Sequence, residues 1–306
     1  HFTGEYVKND GFNDISRLSR LLWLNSRRFL DKSVVAPFFE PVVDGAEVSV
    51  LGRTIELAEN GLPKNVHYFY DEGINLTETA QKSLLAAPIS FRAGDREVRY
   101  SGLSLKKDGG SVLIFSKGES ADLNIEISGE LHYEGAVAYK IAVIAKRDIT
   151  LPDISLEADI APECAALMHG LGEKGSAAHS IHFKWEQENQ QDCIYIGSVN
   201  GGARFKFKAQ DYIRPLVNIY YKNLPLRIPT QTWDNDGRGG ITLEKQAGRC
   251  RLSAYTGLFK LKKGERRSFD FEIHFTPFKP IDYKTHYSVR FSHYNDLKNG
   301  YRQVDE

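Results

Sequence analysis

Leu123 to Val143 reads LNIEISGELHYEGAVAYKIAV. Leu123, Ile125 and Ile127 recur at every second position, and Val137, Tyr139, Ile141 and Val143 repeat the pattern beyond a turn that contains Gly135 and Ala136. An apolar period of two puts alternate side chains on opposite faces of an extended chain. The stretch is therefore two strands, each with one buried and one wet face. Such half-wet strands favour antiparallel pairing over the doubly buried strands of a parallel sheet.

The same rhythm extends in both directions. SFDFEIHF, Ser268 to Phe275, puts Phe269, Phe271, Ile273 and Phe275 inward and Asp270, Glu272 and His274 outward. EVSVLGRTIEL, Glu47 to Leu57, reads as a hairpin around Gly52, followed by an NGLP turn and a strand NVHYFY. Ile154, Leu156 and Ile160 follow a proline break, and further strands are expected at Cys193–Val199, Ala203–Lys208, Val217–Tyr221, Ile241–Gln246 and Arg249–Tyr255. Many short strands separated by turn signals predict an all-β fold, a large antiparallel β-sandwich, with the mutarotase-like super-sandwich as one form open to it.

Two segments depart from this pattern. In DISRLSRLLWLNSRRFL, Ile15, Leu18, Leu22 and Phe29 share a helical face behind Asp14 as N-cap, so the N-terminus is a short helical arm or an extended one. From Pro162 to Asp192 alternation is weak, and loops of that length carry function or cover an opening. The expectation is an ordered cover, with Leu167, Leu171 and Trp185 anchored inward and at least one of Gly170, Gly172 and Gly175 at positive φ. The domain reading is an arm over residues 1–40, a sandwich over 41–290, and a linker over 291–306 toward a further C-terminal domain.

Composition narrows the function. Lys plus Arg is 40 and Asp plus Glu is 40, a balance that gives no electrostatic footprint for nucleic acid or an anionic membrane. No apolar run approaches the roughly 20 residues that cross a bilayer. Cys164, Cys193 and Cys250 are odd in number and far apart, which fits buried thiols better than a disulfide framework. The chain begins at His1 and its only methionine is Met168, so a processed product or an excised piece is expected.

RIPTQTWDNDGRGGI, Arg227 to Ile241, concentrates the candidate chemistry. Asp234 and Asp236 alternate as in a calcium loop. The positions where such a loop needs an oxygen ligand, a glycine and a glutamate hold Arg238, Gly239 and Lys245, and the arginine would repel a cation. Cys164, His169, His179, His182 and Cys193 are zinc-ligand types at spacings of no structural zinc module, so no metal and no cofactor is expected. No GxSxG, HExxH or GxxxxGK[ST] motif occurs, and the glycine-rich GSVNGG leads into no helix. Glycosidase-type carboxylates could come from Glu186, Glu188, Asp192, Asp234 and Asp236, or these residues are solvated charge and Asx turns. Trp185 and Trp233 sit beside polar, turn-rich sequence, where an indole either stacks on a sugar or plugs the end of a sandwich. Trp185, Trp233, Arg214, Asn200 and Asn235 are the candidate carbohydrate contacts.

LLWLNSRR, APF, LGRTIELAENGLP, HGLGEKGS, FKWEQ, YIGSVNGG, YIRPL, LPLRIPTQTWDNDGRGGI and HFTPFKPID occur in that order between about Leu18 and Phe291. Together they resemble the N-terminal region of glycoside hydrolase family 123-like proteins. Ser176 stands where a second glycine is usual, and Phe183 where a tryptophan often precedes Trp185. The resemblance implies an all-β sandwich that precedes a (β/α) barrel. In the family the barrel carries an adjacent Asp–Glu pair and acts on N-acetylhexosaminides, with the substrate's own acetamido group as nucleophile. That barrel has no counterpart in this sequence, and Asp71-Glu72 and Asp305-Glu306 lie outside any barrel context. The expectation is a non-catalytic sandwich module of a secreted or periplasmic carbohydrate-active enzyme, partnered by a glycan and by an intramolecular catalytic barrel. The alternatives are a stand-alone carbohydrate-binding protein, or a mutarotase-like enzyme using His169, His179 or His182 as acid and base.

Overall fold

The computed structural model describes residues 32–185, 192–208, 232–288, 293–296 and 300–303. The fold is all-β and its sheets are antiparallel. Ile125 pairs with Val143 and Ile127 with Ile141, so the stretch that sets the alternation folds on itself. Its second strand then pairs with Arg266–Thr276, with Tyr139 opposite Phe271 and Val137 opposite Ile273. Three apolar stripes fall on one face because the register keeps odd positions opposite odd positions. Burial of each such side chain contributes about 1.5–3 kcal/mol.

This trio is the middle of a nine-stranded sheet, in the order Glu173–Ala177, Leu167–Gly170, Cys193–Ser198, Gly201–Lys208, Arg266–Thr276, Ala136–Ala145, Leu123–His132, Ser111–Glu119 and Arg99–Asp108. Two five-stranded sheets cover its apolar face. One runs from Val42–Asp44 through Glu47–Val50, Arg53–Leu57 and Pro63–Tyr68 to Lys82–Ser83. The other holds Ile181–Lys184, Gly240–Gln246, Arg249–Tyr255, Ile154–Ile160 and Leu85–Ala93. Tyr68 donates to the Gly202 carbonyl at 2.5 Å and Tyr139 to the Gly61 carbonyl at 2.9 Å, which ties the first cover to the long sheet. Phe91 meets Phe269 across the second interface with ring centroids 5.7 Å apart.

The segment from Pro162 to Trp185, where weak alternation predicts an ordered cover, is ordered as strands. It forms the hairpin Leu167–Gly170 with Glu173–Ala177, which extends the nine-stranded sheet, and then the strand Ile181–Lys184, which edges the second five-stranded sheet. Met168 and Leu171 are buried, as is ordinary for a strand edge on a core, but Leu167 faces out and is 46% exposed. Strand alternation explains this, since Met168 and Leu167 must point to opposite faces. Gly170, Gly172 and Gly175 all take positive φ. Asp270, expected outward, is only 6% exposed, and the Ser268 hydroxyl donates to its carboxylate. The remaining alternation of Arg266–Thr276 follows the pattern, with Phe269, Phe271, Ile273 and Phe275 buried.

The strand expected at Val217–Tyr221 and the arm before Lys32 lie outside the described residues. Lys32 itself reaches the long sheet, with its ammonium on Asp108 and 2.9 Å from Glu130. Toward the C-terminus a short helix, Tyr283–Ser288, and a strand pair, His293–Asp296 with Gly300–Gln303, are present. The three cysteines are free thiols, with Cys164 and Cys250 buried. Among the described residues, no helix is long and apolar enough to cross a membrane.

One buried cation ties the first cover sheet to the long sheet. Arg53 is buried and donates from Nε and Nη2 to the Leu51 carbonyl, from Nη1 to the Glu134 and Phe275 carbonyls, and from Nη2 to the Phe278 carbonyl, at 2.8–3.1 Å. Replacing it with methionine keeps the bulk but strands several buried carbonyls, each costing about 1–3 kcal/mol. Arg53→Met is expected to lower stability by about 3 kcal/mol or more, read from the midpoint of urea unfolding at unchanged slope.

Candidate functional site

The WDNDGRGG turn, Trp233 to Gly240, is built from three residues in the left-handed region, Asn235, Asp236 and Gly237, at φ 46, 56 and 78°. Asn and Asp tolerate that region because their short side chains bond nearby backbone. Here the Asn235 amide donates to the Thr256 and Leu258 carbonyls, both at 2.9 Å, and fastens the turn to the neighbouring hairpin. Its oxygen accepts from Arg238 Nη2 at 2.9 Å, and the same nitrogen reaches Asp236 at 3.1 Å. Asp234 accepts from the Gly237 amide at 3.2 Å. Burial lifts the Asp234 carboxyl above its ordinary range; the Asp236 charge adds to this and the Gly237 amide opposes it. Arg238 thus occupies the carboxylate that a cation would need.

Trp233 is 0% exposed and its indole N–H donates to the Asp270 carbonyl at 3.0 Å. Its ring is the middle of an edge-to-face chain: Trp185 to Phe207 at 6.2 Å, Phe207 to Trp233 at 5.4 Å, and Trp233 to Phe269 at 5.2 Å. A Cβ on Gly239 would sit 1.8 Å from the Trp233 carbonyl oxygen, so only glycine allows the turn to close over this indole. Trp233 offers no face to a sugar.

The other candidates divide. Trp185 is half-buried, edge-on to Phe183 at 5.6 Å, and its N–H has no hydrogen-bond partner among the described residues. Asn200 is 3% exposed and its amide donates to the Tyr70 carbonyl at 2.8 Å, so its donor is spent within the fold. Arg214 lies outside the described residues, as do Glu186 and Glu188. Asn235 borders an open cleft of about 520 Å³ that Thr232, Arg238, Leu258, Lys260 and Arg267 also line.

The histidines do not converge. His182 meets the Tyr255 hydroxyl at 2.6 Å, while His179 lies 3.6 Å from Glu173 on the exposed hairpin. His169 stands opposite Tyr195 on the other sheet, and the Cys164 thiol donates to the Ser83 carbonyl. The zinc-type set of Cys164, His169, His179, His182 and Cys193 is therefore dispersed, and among the described residues no three metal-ligand side chains come together.

A polar cluster that sequence reading did not single out lies on the outer face of the long sheet. Register puts Lys206 opposite Glu272 and Arg204 opposite His274. Glu272 holds the Lys208 ammonium and lies 3.5 Å from His274. Burial alone would raise the Glu272 carboxyl, but the His274 and Lys208 contacts outweigh it and hold it at about 2. Alternation had put Glu272 and His274 on one face. Their cross-strand partners come from a strand more than 60 residues away in sequence, as the Lys208–Glu272 separation of 64 shows.

Two measurements test this account. Trp233→Ala empties the centre of the aromatic chain and is expected to cost about 3–5 kcal/mol in denaturant unfolding, whereas an indole used only as a platform would cost well under 1 kcal/mol. Glu272 has a folded value below its ordinary 4.5, so its stabilisation is complete above that pH and is lost as the pH falls toward about 2. Glu272→Gln should remove about 1–3 kcal/mol of stability at neutral pH and flatten the pH dependence within that window.

No curated protein matches the sequence. Solved structures similar in shape include a galactose mutarotase related enzyme from Lactobacillus acidophilus, at 6% identity and TM-score 0.40, over 78% of this chain and 97% of that one. A protein of Escherichia coli K12 described as a candidate aldose 1-epimerase matches at 9% identity and TM-score 0.36, over 78% of this chain and 99% of that one. A heparan sulfate lyase mutant from Pedobacter heparinus matches at 5% identity and TM-score 0.39, over 78% of this chain and 36% of that one. The family model described as glycoside hydrolase 123, third domain, matches residues 42–277, from the first described strand through the strand that carries Phe269 to Phe275. The chain belongs to the glycoside hydrolase 123 third-domain family.

Proposed function

We propose that this chain is a non-catalytic β-sandwich module of a glycoside hydrolase 123-type enzyme, a rigid support for a catalytic barrel that lies outside this sequence. The observation that carries the reading is the use made of the WDNDGRGG turn. Trp233 is fully buried with its N–H on Asp270, and the Asn235 amide is spent on two carbonyls. Residues placed for catalysis keep a face or a donor free for substrate; these are consumed by the fold.

The acid–base groups support the same view. A general acid or base works best with a pKa near the working pH. Glu272, the carboxylate nearest a histidine on the long sheet, is held at about 2 and paired with a lysine. It is a poor base and no acid at neutral pH. His169, His179 and His182, the candidates for a mutarotase-like reaction, face different partners. The family membership supports carbohydrate as the chemistry of the parent enzyme. Its place outside the cytoplasm, secreted or periplasmic, is part of this proposal.

A stand-alone carbohydrate-binding role is the second reading, favoured by the half-open Trp185 ring and by the cleft beside Asn235. The 306-residue chain, assayed with chromogenic N-acetyl-β-galactosaminide and N-acetyl-β-glucosaminide, is expected to give no turnover above blank. Turnover that survives repurification would overturn the support role.

A further inference from the structure

We propose that the cleft between the WDNDGRGG turn and the Phe259–Leu261 strand binds an acidic saccharide, through a pyranose ring that carries an oxyanion. The cleft measures about 520 Å³, within the range of about 300–1,000 Å³ that small-ligand sites occupy. Arg238, Lys260 and Arg267 line it against a single carboxylate, Asp236. A second depression of about 960 Å³ shares Lys260 and Arg267 and adds Lys262 and Lys263, with Asp148 and Glu265 as its acids.

The acids of this surface are engaged, two of them by Arg238 and Arg267, whereas its lysine side chains are not. Every acid is already engaged. Asp236 takes Arg238 at 3.1 Å, and Asp148 accepts from the Lys263 backbone amide at 2.8 Å. Glu265 accepts from the Lys262 backbone amide at 2.9 Å and from Arg267 at 2.7 Å. Lys260, Lys262 and Lys263 make no ion pair among the described residues. Arg238, which lines the cleft, spends Nη2 on the turn, and its Nε and Nη1 have no hydrogen-bond partner among the described residues. A carboxylate or a sulfate ester has paired oxygens, so one can accept a single N–H from Arg238 while the other meets the Lys260 ammonium.

A saccharide fits better than a simple anion because one wall is apolar. Leu258 is 48% exposed beside Lys260, and the Asn235 clamp fixes its backbone at 2.9 Å from the turn. The C–H face of a pyranose can lie on that leucine while its oxyanion meets Arg238 and Lys260. The cations are exposed, so binding is weak at physiological salt and strongest when screening is low.

This goes beyond the support role and rests on its carbohydrate chemistry, not on its lack of catalysis. The test is calorimetric titration of the full chain with three probes: an unsulfated uronate-containing chondroitin tetrasaccharide, a sulfated but uronate-free keratan disaccharide, and neutral chitotetraose. At least one acidic probe is expected to bind, with affinity falling about tenfold or more between about 0.02 and 0.5 M sodium chloride. Which acidic probe binds decides between carboxylate and sulfate. Lys260→Glu, on an exposed side chain, should abolish that binding, while Lys117→Glu on the long sheet leaves it unchanged. A circular dichroism melt of each variant separates lost binding from lost folding. Binding of neither acidic probe, equal binding of chitotetraose, or undiminished binding by Lys260→Glu would overturn the proposal. None of these outcomes bears on the glycosidase assay, so the support reading stands or falls separately.

Discussion

A guanidinium without a carboxylate is the constraint on which this sandwich depends. Arg53 lies between the first cover sheet and the long sheet and, among the described residues, ion-pairs with no carboxylate; it donates to the backbone carbonyls of Leu51 in its own hairpin, Glu134 in the turn after Leu123–His132, and Phe275 and Phe278 at the end of Arg266–Thr276. Burying a charge costs several kcal/mol unless its donors are met. Burial also pulls the Arg53 pKa below its ordinary value, and the neighbouring Tyr70 and Tyr68 work against that. Its donors are met by three separate turns, and each turn must therefore come close. At Gly135, with φ 85°, a Cβ would lie 2.4 Å from Arg53 Nη1. The glycine is there because the cation is.

The second cover sheet is fastened by apolar contact. Phe91 and Phe259 meet Phe269, and Trp233 joins that ring to Phe207 and the half-open Trp185. Edge-to-face aromatic pairs contribute about 0.5–1.5 kcal/mol each beyond burial. Both covers pack apolar side chains into one core, and to this the first adds directional hydrogen bonds and the second a chain of rings. The two devices suit their places. Arg53 sits where three turns expose carbonyls that need donors, whereas the rings sit between sheet faces whose backbone is already paired within its strands.

Most of the sandwich was legible because alternation is local. Ile125, Ile127, Ile141 and Phe271 announce their face from their own neighbours, and register follows once each face is known. The segment after Pro162 was misread as irregular because its strands are short, Leu167–Gly170 and Glu173–Ala177, and glycines with positive φ interrupt the pattern. Two residues of alternation on either side of a tight turn do not stand out from chance. Asp270 was misplaced for a different reason. Its burial depends on what packs against it from elsewhere in the chain, and strand periodicity is silent on that.

The site was legible in kind but not in use. Sequence could say that Trp233, Asn235 and Arg238 belong to one turn, because they are adjacent. Whether a tryptophan in such a turn faces solvent or core depends on its partner, and that partner is the Asp270 carbonyl, 37 positions away. The same holds in part for Glu272, whose low pKa comes from His274 two positions along its own strand and from Lys208 on the adjoining one. In a sandwich the chemistry of a polar side chain is set by the strand beside it, which is often remote in sequence. An account of donors and acceptors then separates residues that build from residues that remain available. By that account the conspicuous indole and amide are construction. The side chains of Lys260, Lys262 and Lys263, which no motif marked, have no ion pair among the described residues and remain available.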